Sequence, residues 1–323
     1  MLGRSIRTPR EIATIFGLDE HTLAEVTSSF PALINPYFLS LIQDPRDPMG
    51  RQVVPDPLEL EDQEGSLDPL TEEKLSPVPN LIHRYPDRVV LLASNFCAVN
   101  CRFCNRRRRS RRHPKPGSRE LRRALAYLRD HSEVRDVLIS GGDPLMLEDW
   151  ELGALLRELR EIPHVEMLRI GTRVPSALPQ RVTRSLCRTL KKYHPIFMSL
   201  HFNHPTELTR ESMRACSMLA DSGIPLGSQT VLLKGVNDDP RVLDELIRAL
   251  VSVRVKPYYL FQLDQVKGTS HFRIPVAKAV ELVQELSAKI PLAWVPQLAL
   301  DLPGGGGKAV LGPGCASGDD LVY

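Results

Sequence analysis

Seven short apolar runs punctuate the chain after residue 87: "RVVLLAS" from Arg88, "DVLIS" from Asp136, "EMLRIGT" from Glu166, "IFMSLHF" from Ile196, "SQTVLL" from Ser228, "PYYLFQL" from Pro257 and "AWVPQLAL" from Ala293. Each has the length and aliphatic or aromatic content of a buried strand. Between them the apolar period lengthens to that of a helix. In "SRELRRALAYLRDH", Leu121, Leu125 and Leu128 fall on one face and Ser118 is the expected N-cap; "TELTRESMRACSMLADSG" is a second such segment, closing at Gly223. Strand and helix alternating in this way predict an α/β fold of parallel βα units, as an open doubly wound sheet or a full or partial barrel.

The first eighty residues have another texture. From Asp44 to Pro79 the chain is rich in proline and acid, which suits an extended arm with short helices before it. The expected division is an N-terminal helical and Pro/acid-rich arm over 1–80, a barrel over 81–300, and a loop and tail over 301–323. With 42 Lys+Arg against 39 Asp+Glu, the net charge of +3 gives no general case for nucleic acid as a partner. The sequence has no apolar stretch of membrane-spanning length and no signal-peptide core at its start, and a cytoplasmic protein is expected. Six cysteines dispersed over 323 residues, three of them clustered, do not form a disulfide framework.

Residues capable of chemistry collect where the predicted strands end. Cys97 follows the first, "GGDP" from Gly141 the second, Arg173 the third; "HFNHP" from His201 closes the fourth, Asp264 follows the sixth and "DLPGGGGK" from Asp301 to Lys308 the last. In a βα barrel these loops open on one face, where such enzymes build their sites. The spacing C-x3-C-x2-C of Cys97, Cys101 and Cys104 offers three thiolates with no fourth ligand at a usual zinc spacing, His113 being weakly placed. Three cysteines suit a 4Fe-4S cluster that leaves one iron for a substrate; zinc, or three unrelated thiols, are the competing readings. "GGGGK" is not a nucleotide-binding loop, because Leu302 replaces its first glycine and Ala309 its hydroxyl residue.

"CAVNCRFC" resembles the signature of the radical S-adenosylmethionine (SAM) enzymes, and "GGDP" their glycine-rich SAM loop. With "HRYPDRVVLL", "ISGGDPLML", "HFNHPTELT", "PYYLFQLD" and "DLPGGGGK", the stretch from about Asp68 to Pro313 resembles the lysine 2,3-aminomutase family. The resemblance implies an α/β, parallel βα-repeat, partial TIM-type barrel with an N-terminal helical and extended arm. It implies an isomerase that uses a 4Fe-4S cluster on Cys97, Cys101 and Cys104, SAM near Phe103, Gly141, Gly142, Asp143 and His201, and pyridoxal phosphate (PLP) on Lys308, with Arg84, Arg88 and Gln229 around it. Arg106 would take the substrate carboxylate, and Asp264 and Asp301 the side-chain ammonium of lysine. The substrate would be a free amino acid, and the reaction transfer of its α-amino group to the β-carbon after reductive cleavage of SAM to a radical, the electron coming from a donor such as flavodoxin or ferredoxin. Arginine or another amino acid, or a radical SAM enzyme acting on RNA or protein, are the alternatives. Arg108, Arg109, Arg111 and Arg112 are expected on a solvated or anion-facing surface. Asp239 stands where some members carry a zinc-binding cysteine, so no interface zinc is expected; the chain ends at Tyr323, and assembly into a homo-oligomer stays open.

Overall fold

The computed structural model describes residues 2–109 and 117–312. All seven expected strands form, and two more join them. In chain order they are β1 (Leu81–Tyr85), β2 (Arg88–Ser94), β3 (Asp136–Gly141), β4 (Met167–Thr172), β5 (Ile196–His201), β6 (Leu226–Val231), β7 (Val255–Phe261), β8 (Gln297–Leu302) and β9 (Gly307–Val310). They lie in one sheet in sequence order; β2 to β8 are parallel, and β1 and β9 add antiparallel edges. This is the expected partial TIM-type barrel, opened at one seam.

Helices cover the outside because each crossover between parallel strands must return the chain across the sheet. The apolar stripe of the helix Ser118–Asp130 buries Leu125 and Leu128 against Val89, Val137 and Ile139 of β2 and β3. Its N-cap is Gly117, one residue before the expected Ser118, and that cap makes no side-chain hydrogen bond. The helix Arg210–Asp221 starts as a capped helix should, with Thr209 accepting from the Ser212 amide, and is followed by Gly223 at φ +79°.

The residues ahead of the barrel pack on the side that carries Cys97 to Cys101. Thr8 and Glu11 form a capping box for the helix Pro9–Phe16, and Asp19 caps the helix Glu20–Ser29. Their apolar faces, with Ile34, Phe38, Met49 and Val53, form a second core that takes in Ala98 and Val99 between the first two clustered cysteines. Asn35 ties the same layer together, its Nδ2 donating to the carbonyls of Ala98 and Ala177 at 3.0 and 2.8 Å.

The seam is closed by side chains. Arg84 of β1 donates Nε to Gly305 O at 3.1 Å, Nη1 to Asp301 at 2.9 Å, and Nη2 to Leu302 O and Gly307 O at 3.1 and 3.0 Å. Thus the first strand holds the glycine-rich loop between the last two. Gly305 is at φ +84°, and a Cβ there would meet Leu75 Cδ1 at 2.8 Å, so this loop needs its glycine where it lies on the acid-rich segment. Among the described residues no helix is long and apolar enough to cross a membrane.

Candidate active site

The strand ends enclose a cavity of about 720 Å³ lined from every part of the barrel, including Cys97, Arg106, His201, Gln229, Asp264 and Lys308. The residues expected to act together therefore share one chamber, and Cys101, Cys104, Phe103, Gly141, Gly142, Asp143, Arg84, Arg88 and Asp301 line it as well.

Burial first, then the neighbouring Cys104, Asp143 and Cys101, push the Cys97 thiol well above its ordinary value. Burial and Cys101 push Cys104 up to about 11. Negative charge on Cys97 and Cys104 is thus disfavoured unless a cation accompanies it, as iron would. Among the described residues, no three His, Cys, Asp or Glu side chains converge on a point that would ligate one metal ion. A guanidinium flanks the cysteines. Arg173 Nη1 lies 2.6 Å from Cys101 Sγ, while its Nη2 donates to Gln52 at 2.5 Å and its plane sits 5.4 Å from the Phe103 ring centre.

Gly141, the last residue of β3, and Gly142 are both required by the backbone beside them. Gly141 is at φ +120°, and its Cβ would stand 2.2 Å from Ser94 O; a Cβ on Gly142 would stand 2.5 Å from Phe96 O. The close approach they permit is to the backbone leading into Cys97, with the amides of Gly142 and Asp143 donating to Ser94 O and Phe96 O at 2.5 and 2.7 Å. Asp143 accepts from Thr172 Oγ1 at 2.7 and 2.9 Å and from the amides of Arg173 and Leu145 at 2.7 and 3.0 Å. Burial nonetheless outweighs these bonds and raises its carboxyl to about 6. His201 is held neutral, lowered to about 3 by burial and then by Arg173. Its Nε2 lies 3.1 Å from Asn203 Oδ1, which can only accept, so Nδ1 is the free acceptor.

On the far strands, Lys308 Nζ donates to both oxygens of Asp301 at 2.8 and 2.7 Å and lies 4.9 Å from the Phe261 ring centre. Asp264 accepts from Asn105 Nδ2 at 3.0 Å. Burial, then the charge of Asp301, raises its carboxyl to about 7. Gln229 sits in register with His201 on β5 and Tyr259 on β7. Arg88 is exposed and stacks 4.3 Å from the Tyr85 ring centre. Arg84, expected beside a phosphate, lines the cavity with its Nε, Nη1 and Nη2 engaged by the lysine loop.

The arginine run is not a solvated surface where it is described. Arg108 is only 6% exposed and pairs with Asp68, Glu72 and Glu73 at 2.9, 3.1 and 3.2 Å; Arg109 donates to Asn80 Oδ1 at 2.8 Å. Arg106, whose bidentate edge was expected to await a substrate, meets Glu72 at 2.9 Å through Nε and 2.7 Å through Nη2. Arg102 and Arg107 share Glu59, and both guanidiniums stack on Phe30, at 4.4 and 4.3 Å from its ring centre. The acid-rich segment is therefore the counter-charge of the basic run. Glu59 and Glu72 are functional candidates that motif reading missed; the signal was an acidic block and a basic block in a chain of nearly zero net charge. Arg111, Arg112, His113 and Cys315 lie outside the described residues.

Residues 91–247 match the radical SAM superfamily. The chain is 48% identical over 299 residues to L-lysine 2,3-aminomutase of Clostridium subterminale, covering 91% of this chain and 72% of that one. It is 50% identical over 287 residues to the enzyme of the same name from Acetoanaerobium sticklandii (87% and 69%), and 42% identical over 311 residues to glutamate 2,3-aminomutase of Clostridioides difficile (95% and 74%). Among solved structures, SuiB of Streptococcus suis bound to SAM superposes with a TM-score of 0.52 at 17% identity, over 67% of this chain and 51% of SuiB. A radical SAM methyltransferase from Sphaerobacter thermophilus gives 0.50 at 20% identity, over 68% of each; both likenesses speak to the fold alone. At such identity over most of its length, the chain belongs to the lysine 2,3-aminomutase family of the radical SAM superfamily, isomerases that work with a 4Fe-4S cluster and SAM.

Proposed function

We propose that the protein moves the α-amino group of L-lysine to its β-carbon, with PLP bound through Lys308. The observation that carries this reading is the pair Asp264 and Asp301, offered to one cavity from β8 and the end of β7, with Lys308 and Arg84 as the cations on Asp301. Two carboxylates so close and so buried call for cations, which is why Asp264 is raised to about 7. Lys308 and Arg84 together meet that need for Asp301 in the protein itself, and among the described residues Asp264 has no such partner beyond Asn105. A lysine engaged with PLP no longer does, and the side-chain ammonium of the substrate takes its place.

When bound, the cluster and SAM supply a radical able to remove hydrogen from an unactivated carbon, and PLP supplies a conjugated system over which the unpaired electron spreads while nitrogen moves. The chain's own residues fix where this happens. Cys97, Cys101 and Cys104 hold the cluster, and Phe103, Gly141, Gly142, Asp143 and His201 shape the space for SAM beside it. Arg106 takes the α-carboxylate and the two aspartates the far ammonium, so the substrate is held at both ends. With Arg84 occupied by the loop, the phosphate of PLP falls to Arg88, and Gln229 completes that wall. A donor such as flavodoxin or ferredoxin supplies the single electron each activation needs.

A glutamate substrate, as the name of the Clostridioides difficile relative would suggest, is disfavoured because its side chain would meet two carboxylates. The test is an anaerobic assay offering lysine, arginine, ornithine and glutamate in parallel. β-Lysine as the main product is expected; preferential turnover of glutamate would overturn the substrate reading.

A further inference from the structure

Glu72 belongs to the segment ahead of the barrel, yet its carboxylate lies in the substrate cavity. Oε1 takes Nε and Nη2 of Arg106 at 2.9 and 2.7 Å, and Oε2 takes Nη2 of Arg108 at 3.1 Å. The remaining nitrogen of Arg106, Nη1, stands 3.3 Å from Ser140 Oγ at the end of β3. A guanidinium presents two usable edges to a carboxylate, one through Nε and one through the two terminal nitrogens. Glu72 occupies the first, so the second is the edge left for the cavity.

An acid placed there would ordinarily cancel the charge that a substrate carboxylate needs. Arg108 prevents this by drawing on Oε2 of Glu72. It is itself enclosed and further paired with Asp68 and Glu73 at 2.9 and 3.2 Å. Burial works against the charge on Glu72, but the two arginines hold its carboxyl below the ordinary glutamate value. The segment that carries it is fixed on both sides. The Glu72 amide donates to Asp68 Oδ1 at 3.1 Å, and the Gly304 amide of the lysine loop donates to Pro69 O at 3.3 Å.

We propose that Glu72 and Arg108 form a positioning pair for Arg106, setting which edge of its guanidinium meets the substrate and preserving its charge, so that the acid-rich segment governs recognition of the α-carboxylate. This rests on the reading of Arg106 as the carboxylate-binding group. It predicts a defect confined to one end of the substrate. Glu72→Gln keeps the size and one acceptor but loses the paired contact. Arg108→Gln leaves Glu72 to neutralise Arg106.

The experiment is calorimetric titration of the unreduced holoenzyme, in which no turnover occurs, with L-lysine and with L-lysinamide, which lacks the carboxylate. The wild type is expected to prefer lysine by on the order of tenfold or more, the scale of a charge-assisted bidentate contact. In Glu72→Gln and in Arg108→Gln that preference should fall several-fold, with lysinamide binding unchanged. An undiminished preference in either folded variant overturns the proposal, as does equal weakening of both ligands, which would mark the pair as structural only. Arg106→Met is the separating control: if it too keeps the preference for lysine, the assignment of Arg106 has failed, whatever Glu72 does. Should Glu72→Gln fail to fold, the Arg108→Gln ratio decides alone.

Discussion

Lys308 Nζ sits 2.8 and 2.7 Å from the two carboxylate oxygens of Asp301, and the same carboxylate holds Arg84 Nη1 at 2.9 Å. The aspartate thus joins Lys308 on β9 to the strand on the other side of the barrel seam. Lys308→Ala should abolish the absorbance band that appears when PLP is added, with cluster absorbance unchanged. Asp301→Ala should do more than raise KM. It frees both cations at once and loosens the loop, so PLP affinity should fall as well, whereas Asp301→Asn, which still accepts a hydrogen bond, should keep the PLP band and chiefly raise the KM for lysine. Absorbance titration with PLP, in parallel with steady-state assays, distinguishes the two variants.

Asp264 titrates where enzymes work. Its carboxyl, raised to about 7 by burial and by Asp301, faces Asn105 and lies within electrostatic reach of Lys308 and Glu72. The unfolded chain releases this proton near 4, so between about pH 4 and pH 7 the folded form holds one proton more and stability falls as pH rises through that window. Asp264→Asn should remove this loss, so the variant gains on the wild type as pH rises across the window, measured by urea denaturation. Binding runs the other way. A cationic side chain needs the ionised carboxylate, so lysine affinity should drop roughly tenfold between about pH 8 and about pH 6, and Asp264→Asn should flatten that dependence at a lower affinity.

The barrel strands were legible because each buried strand is an uninterrupted apolar run bounded by turn residues. β1 and β9 were not. "LIHRY" loses its apolar character halfway, where Arg84 and Tyr85 turn to the cavity and loop, and "GKAV" alternates half-buried and exposed positions at the sheet's edge. The same limit hid Glu59 and Glu72. Cysteine spacing is a local signature, but the partners of Arg102 and Arg106 lie 43 and 34 residues away, and pairing at that separation leaves no periodicity to read. The contacts of Arg84 with the lysine loop and of the two glycines with Ser94 and Phe96 were hidden for a related reason: a motif shows that a residue type is required and is silent on which neighbours it meets.

The cysteines divide by environment. Cys97, Cys101 and Cys104 line the cavity, whereas Cys187 and Cys216 are buried in the barrel core with Leu186, Leu190 and Leu219. Single Cys→Ala changes at 97, 101 or 104 should each lower bound iron and abolish reductive SAM cleavage. The same change at 187 or 216 should leave both intact and cost on the order of 1 kcal/mol of stability, the loss of a small buried side chain. Iron analysis with anaerobic SAM cleavage is the measurement, and full cleavage activity in any of the first three would refute the cluster assignment.

Glu59 is the shared counter-ion of two arginines in and beside the cysteine loop. Its carboxylate takes Nε and Nη2 of Arg102 at 2.7 Å each and Nη2 of Arg107, and both arginines are almost wholly enclosed. Arg102 lies between Cys101 and Cys104, and Arg107 three residues beyond Cys104, so one acid braces the chain on both sides of Cys104. Burial opposes its charge, yet the two arginines keep its carboxyl below the ordinary glutamate value. Its folded value being lowered, its stabilisation is present above about pH 4.5 and is lost as pH falls through that lowered value. Glu59→Gln leaves two guanidiniums buried with no carboxylate between them, and breaking such a group costs roughly 3–5 kcal/mol. The expected result is a lower denaturation midpoint at neutral pH, a gap that narrows in acid as the wild type loses the same charge, and poorer iron retention on reconstitution. A surface ion pair would change stability by less than about 1 kcal/mol. Equal denaturation midpoints for the variant and the wild type at neutral pH would therefore show that Glu59 does not hold the loop.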